Sequence, residues 1–194
     1  YFYRLDMTED AGGTKYGSDY PGLCVDSQAV YVTYNMYSLP LGGSSSLKNS
    51  QIVVLKKADI NAGTGTYYQV FTPDGYTNGF TLQPATVLGG TNPGNVAYFG
   101  ETPLDSSTTV RVWALSDPLG ARTLQSTSVT VPDNGGFVTS EAPQAGTSIG
   151  VDTLSPRTQG NAFWYGGALW FCHTAGGSAG KAIVYYYKVN TNSY

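Results

Sequence analysis

The sequence predicts an all-β protein of about three β-propeller blades, part of a larger ring, with a β-sandwich as the alternative. The first observation is composition. Gly is high at 25, Tyr very high at 16 and charged residues only 12%, the balance of a turn-rich β protein. Hydrophobic content of 41% is ample for a core, so disorder is excluded. The second is a strand unit that recurs three times, with no helical period of ten residues or more. The third is that Ile52-Val-Val-Leu55, Ala168-Leu-Trp-Phe-Cys172 and Ile183-Val-Tyr-Tyr-Tyr187 do not alternate. A sandwich strand alternates apolar and polar side chains. A blade strand packed on both faces does not.

The clearest unit spans Ala162 to Val189: Ala-Phe-Trp-Tyr, Gly166-Gly167, Ala-Leu-Trp-Phe-Cys-His, a Gly/Ser loop, and Ala-Ile-Val-Tyr-Tyr-Tyr-Lys-Val. Gly-Gly between two such runs signals a hairpin, because a type I′ turn needs positive φ at both central residues. In chain order, Tyr1 to Met7 reads as a strand and Thr8 to Ser18 as a polar loop. Asp19 to Asp26 opens the first unit, and Ala29 to Tyr34 is its second strand. A loop centred on Gly42-Gly43 leads to a third strand over Gln51 to Leu55. One helical turn over Lys56 to Ala62, capped by Gly63, precedes a fourth over Tyr67 to Thr72.

The second unit places strands at 81–88, 96–100, 109–115 and 123–131. The last alternates, as an outer strand should, and a long Pro/Gly/Ser/Thr connection follows, extended around Thr147 to Thr153. The organisation is therefore 1–18 as strand and loop of a preceding blade, 19–75 and 76–132 as blades, and 133–194 as a long loop with an incomplete third blade. The third strands align so that Val53, Val112 and Val184 should all be buried.

Net charge is −3 with no basic cluster, which excludes nucleic acid as a partner. No run approaches the ~20 apolar residues of a membrane span. The chain opens on Tyr1 without Met or signal peptide, which reads as a mature product or a piece of something longer. Three units cannot close a ring of roughly four to eight blades. The expected partner is thus the remainder of a longer chain or a second copy. Cys24 and Cys172 sit in apolar runs and read as buried free thiols. Two cysteines alone make no zinc site.

Asp19-Tyr-Pro-Gly-Leu-Cys-Val-Asp26, Ala29-Val-Tyr-Val-Thr and Asn35-Met-Tyr resemble a stretch of exported bacterial proteins with sialidase-like β-propeller folds. Trp113-Ala-Leu-Ser-Asp-Pro118 and Thr127-Ser-Val-Thr-Val-Pro132 are similar to the next blade there. The resemblance implies blade strands and an extracellular or cell-envelope location. It does not extend to sialidase chemistry, because the Ser-x-Asp-x-Gly-x-x-Trp boxes and arginine triad of that family are absent; Thr72-Pro-Asp-Gly75 is only a fragment of a box.

In a propeller, the loops entering strand one and joining strands two and three meet around the central channel. That places Asp19, Tyr20, Asn35, Glu101, Arg157 and His173 on one face as candidate ligand contacts. Each has a plainer reading. His173, the only histidine, would be a hydrogen-bonded strand end, and Glu101 a solvated loop carboxylate. Asp19 and Asp26 would hold turns, Arg157 would pin the long loop or clamp a carboxylate, and Trp113, Trp164 and Trp170 would fill the core. No cofactor is expected; an Asp/Gly loop could take calcium, but no ligand pattern names the residues. No nucleophile elbow, phosphate loop or HExxH occurs. Two functions follow. One is a non-catalytic binding or structural segment of an exported protein, with a carbohydrate or protein ligand. The other is a glycoside hydrolase or lyase using two carboxylates on the loop face.

Overall fold

A computed structural model describes residues 3–40, 44–89, 94–135, 141–176 and 181–192. It is all-β, with two strongly curled sheets that form half-barrels. The first sheet orders β1 (Glu9–Ala11), β2 (Thr14–Val25), β3 (Ala29–Ser38), β4 (Leu47–Lys56) and β5 (Tyr67–Phe71) as an antiparallel meander. The short helix α1 (Lys57–Ala62) links β4 to β5 and ends at Gly63 with φ 78°. The second sheet contains β6 (Gln83–Val87), β7 (Val96–Glu101), β8 (Thr109–Ser116), β9 (Thr123–Thr130), β10 (Thr158–Tyr165), β11 (Ala168–Gly176) and β12 (Ala182–Asn190), in the order β12-β11-β10-β6-β7-β8-β9.

The sheets number two rather than three because β6 and β10 pair in parallel, at Ala85 with Ala162 and Val87 with Trp164. That pairing fuses the meander β6–β9 to the meander β10–β12. β2 lies against β6 from the other sheet. Gly22 permits that approach: a Cβ there would meet Pro84 Cδ and Thr33 Oγ1 at 2.7 Å. Gly100 plays the same part between β7 and β11, where a Cβ would lie 2.6 Å from Phe171 Cγ. Both are close approaches that only a missing side chain allows.

Three cores result. Cys24, Ala29, Tyr31, Ile52 and Val54 of the first sheet pack on Leu82, just before β6, and on Ala97, Phe99, Trp113 and Leu115 of the second sheet. Ala85, Tyr98, Val110, Val112, Ala162, Trp164, Leu169, Phe171 and Val189 fill the curl of the second sheet. Met7, Val53 and Leu55 form a third, with Leu5 and Ile60 against them. Strands β4 and β8 thus bury both faces, which is why Ile52-Val-Val-Leu55 carries no alternation.

The structure corrects several expectations. Tyr3 to Thr8 form no strand, while Tyr1 and Phe2 lie outside the described residues. This segment packs as a strap on the outer face of β4, with Met7 buried there and the Tyr3 hydroxyl donating to the Ile60 carbonyl at 2.6 Å. Thr8 to Ser18 is a hairpin rather than a loop: β1 turns into β2 at Gly12-Gly13, with φ 62° and 80°. Gly166-Gly167 makes the same turn between β10 and β11, with φ 59° and 79°. Gly42-Gly43 and residues 177–180 of the Gly/Ser loop lie outside the described residues.

Val53 and Val112 are buried at 0% and 2% exposure, but Val184 is 67% exposed. β12 is an edge strand whose outward face, with Val184 and Tyr186, no neighbouring element covers among the described residues. Trp113 and Trp164 are buried as expected. Trp170 instead lies half-buried on the outward face of β11, with Lys188 Nζ 5.1 Å over its ring. Both thiols are free; Cys24 is buried and Cys172 only half-buried. Among the described residues, no helix is long and apolar enough to cross a membrane.

Candidate functional site

The junction of the two sheets is built around Phe80, Thr81 and the segment Pro156–Thr158. Thr81 has φ 52°, a strained conformation for a β-branched residue. Asn35 holds it there. Its Oδ1 accepts from Thr81 N at 2.7 Å and from Ser50 Oγ at 3.1 Å, while its Nδ2 donates to Thr81 Oγ1 at 2.9 Å. The adjacent Phe80 N donates to Glu101 Oε1 at 3.1 Å. Asn35 and Glu101 therefore fix consecutive residues of the same connection from opposite sheets.

Glu101 is not a solvated loop carboxylate. It is fully buried at the end of β7, where Arg111 Nη1 donates to both of its oxygens at 3.0 Å and Trp113 Nε1 donates to Oε2 at 2.5 Å. Burial holds the carboxyl above the usual carboxylate range, and the Arg111 charge with the Trp113 and Phe80 donors offsets only part of that rise. Four donated contacts leave it fully occupied inside the fold.

His173 on β11 is also buried. Its Nδ1 donates to the Pro156 carbonyl at 3.0 Å, and its Nε2 accepts from the Tyr187 hydroxyl at 2.9 Å. A carbonyl can only accept, so this pairing assigns the neutral tautomer with Nδ1–H. Burial lowers its pKa from 6.5. The Pro156 carbonyl also accepts from Thr102 Oγ1 at 2.8 Å, so His173 anchors the chain just before Arg157.

Arg157 is different. It is half-buried, with its guanidinium carbon 4.9 Å over the Tyr20 ring and 5.2 Å over the Phe80 ring. Its Nε donates to Ser155 Oγ at 2.5 Å. Among the described residues no carboxylate lies within 4.0 Å of it. Tyr20 reaches it because β2 bulges between Asp19 and Gly22, and Tyr20 has φ 51° in that bulge. Such bulges re-aim a side chain.

Two further tyrosines complete this face. The Tyr76 hydroxyl donates to the Tyr37 hydroxyl at 3.3 Å, and the Tyr76 ring tilts on Phe80 at 5.2 Å. Burial, then the Tyr76 hydrogen bond, pushes the Tyr37 phenol up; Arg157 and Asp19 act on it in opposite directions. Asp19 and Tyr76 are exposed, and Tyr20, Tyr37 and Arg157 half-exposed.

The six expected residues thus fall into two groups around one junction. Asn35, Glu101 and His173 spend their polar atoms on internal partners. Asp19, Tyr20 and Arg157 stay within reach of solvent. Sequence reasoning missed Tyr37, Tyr76 and Phe80. The Tyr-rich end of β3 and the turn Asp74-Gly75-Tyr76 were the available signals. Asp26 holds a turn, its Oδ1 accepting from Gln28 N at 2.7 Å and Ala29 N at 2.8 Å. Among the described residues no three His, Cys, Asp or Glu side chains gather, so no calcium ligands can be named. No protein-family model matches the chain, and neither a curated protein nor a solved structure is significantly similar to it.

Proposed function

We propose that the chain is a non-catalytic binding module of an exported protein that takes up carbohydrate at the face formed by Tyr20, Tyr37, Tyr76 and Arg157. The observation that carries this reading is the Arg157 guanidinium, held between the Tyr20 and Phe80 rings with no carboxylate partner among the described residues. A sugar presents a flat C–H face to an aromatic ring and hydroxyls or a carboxylate to a planar donor. The position of Arg157 favours acidic sugars, because a carboxylate would supply the missing counter-charge. Two of the carboxylates speak against catalysis. Glu101 and Asp26 are saturated by internal donors, and neither is free to act as acid or base. The resemblance to sialidase-like propellers supports the exported setting.

The test is calorimetric titration with oligogalacturonides and, in parallel, with neutral cello-oligosaccharides. The acidic series should bind without any product appearing by chromatography. Arg157→Ala and Tyr20→Ala should each weaken binding about tenfold, which is about 1.4 kcal/mol. Failure of both series to bind would overturn the reading, and so would turnover.

A further inference from the structure

We infer a second ligand site, for an uncharged oligosaccharide, in the groove between the edge of the first sheet at β5 and strands β8 and β9 of the second. The groove measures about 650 Å³ and is lined by Phe71, Asn78, Arg111, Trp113, Ser126 and Ser128, among others. That size falls within the roughly 300–1,000 Å³ of small-molecule sites.

The groove begins where the core between the sheets stops. One face of β8 runs Leu115, Trp113, Arg111, and the paired face of β9 runs Leu124, Ser126, Ser128. Leu115 is in the core, and Leu124 packs against it. Beyond them, two serines stand where a closed seam would carry branched apolar residues. Both serines are exposed, so their hydroxyls face the groove's solvent. The opposite wall is the end of β5 and the turn that follows it, at Phe71, Thr72 and Pro73. Its rim is braced, since Asn78 Nδ2 donates to the Asp74 carbonyl at 2.7 Å and Asn49 Nδ2 to Asp74 Oδ1 at 3.2 Å.

The floor decides the charge of the ligand. Arg111 is neutralised by Glu101 at 3.0 Å, and no other charged residue lines the groove. An anion would therefore find no net positive charge, and a cation no carboxylate. Only Nη1 of Arg111 is committed to Glu101, and its guanidinium carbon lies 6.0 Å over the Trp113 ring. A planar donor without net charge, with hydroxyls and amides on both walls, matches the alternating hydroxyls of a sugar chain. A buried ion pair is weak support for stability, since apolar residues often replace it without loss; here it presents fixed donors to the groove.

This site stands independently of the Arg157 face, and the experiment separates them. Isotope-labelled protein is titrated with cellohexaose, xylohexaose, mannohexaose, maltohexaose and laminarihexaose. At least one should shift the amide signals of residues 124–128 with a Kd of about 1 mM or tighter. Ser128→Tyr, which fills the groove from an exposed position, and Phe71→Ala should each weaken that binding about tenfold, equivalent to about 1.4 kcal/mol. Arg157→Ala should leave it unchanged. The inference is overturned if none of the five shifts those amides, if both groove variants bind as the parent does, or if Arg157→Ala abolishes the effect.

Discussion

His173 shows how one buried side chain writes a pH dependence into the fold. Both ring nitrogens are committed, one as donor to Pro156 and one as acceptor from Tyr187. Protonation would turn the acceptor into a donor facing a hydroxyl, and burial already disfavours the cation. The folded pKa therefore lies below the unfolded value of about 6.5. As the pH falls, protons bind the unfolded chain first. The contribution of His173 is complete above about 6.5 and is lost below it, as the pH drops towards the folded value. Urea unfolding at pH 7.5 and 5.5 should show the parent losing stability at the lower pH. His173→Gln should be weaker at pH 7.5 and should lose less between the two. Equal losses in parent and variant would show that other groups carry the dependence. Glu101 makes the complementary point. Its four contacts come from Phe80, Arg111 and Trp113. Such saturation marks a carboxylate that positions a junction rather than one awaiting a proton.

At the scale of elements, burial follows neighbours more than composition. Strand β4 is sandwiched between two cores, β8 likewise, and β12 forms an edge. Val53→Ala and Val112→Ala should each cost about 2 kcal/mol, from lost transfer energy and the cavity left behind. Val184→Ala should stay within about 0.5 kcal/mol, as for other surface changes. Denaturation midpoints of the three variants would check this, and a large loss at Val184 would mean that β12 is covered in solution. The same contrast explains what the sequence made legible. Ile52-Val-Val-Leu55 was readable as a doubly buried strand because both faces are apolar. Ile183-Val-Tyr-Tyr-Tyr187 has the same signature, yet Tyr186 is 76% exposed. Nothing local to β12 states that it lacks a further neighbour. The Gly166-Gly167 hairpin was legible because aromatic strands flank it. Gly12-Gly13 was not, because Glu9-Asp10-Ala11 carries no strand propensity and is held by pairing with Thr14–Tyr16. The candidate residues were found by their places at strand ends. Their division into internal and accessible groups depends on Phe80, Thr81 and Pro156, which are distant in sequence and offer no pattern to read.

The whole molecule is held together by the core shared between the sheets. Tyr31 of the first sheet meets Phe99 of the second edge-to-face, with centroids 6.2 Å apart and planes at 88°. Thr33 Oγ1 donates to the Leu82 carbonyl at 2.7 Å across the same boundary. Neither sheet can bury Ile52, Val54, Leu82 or Leu115 without the other, so the two should unfold together. The placement of tryptophan allows a direct test. All three, Trp113, Trp164 and Trp170, belong to the second sheet, so their fluorescence reports that sheet. Hydrogen exchange of the β3 and β4 amides reports the first. Phe99→Ala removes a fully buried ring from the second sheet and should cost about 3–5 kcal/mol. If the molecule is one cooperative unit, the loss read by tryptophan fluorescence will equal the loss read by exchange at β3 and β4. If the sheets are separable, the fluorescence transition will move while protection in β3 and β4 persists, and the shared core will have been assigned too large a role.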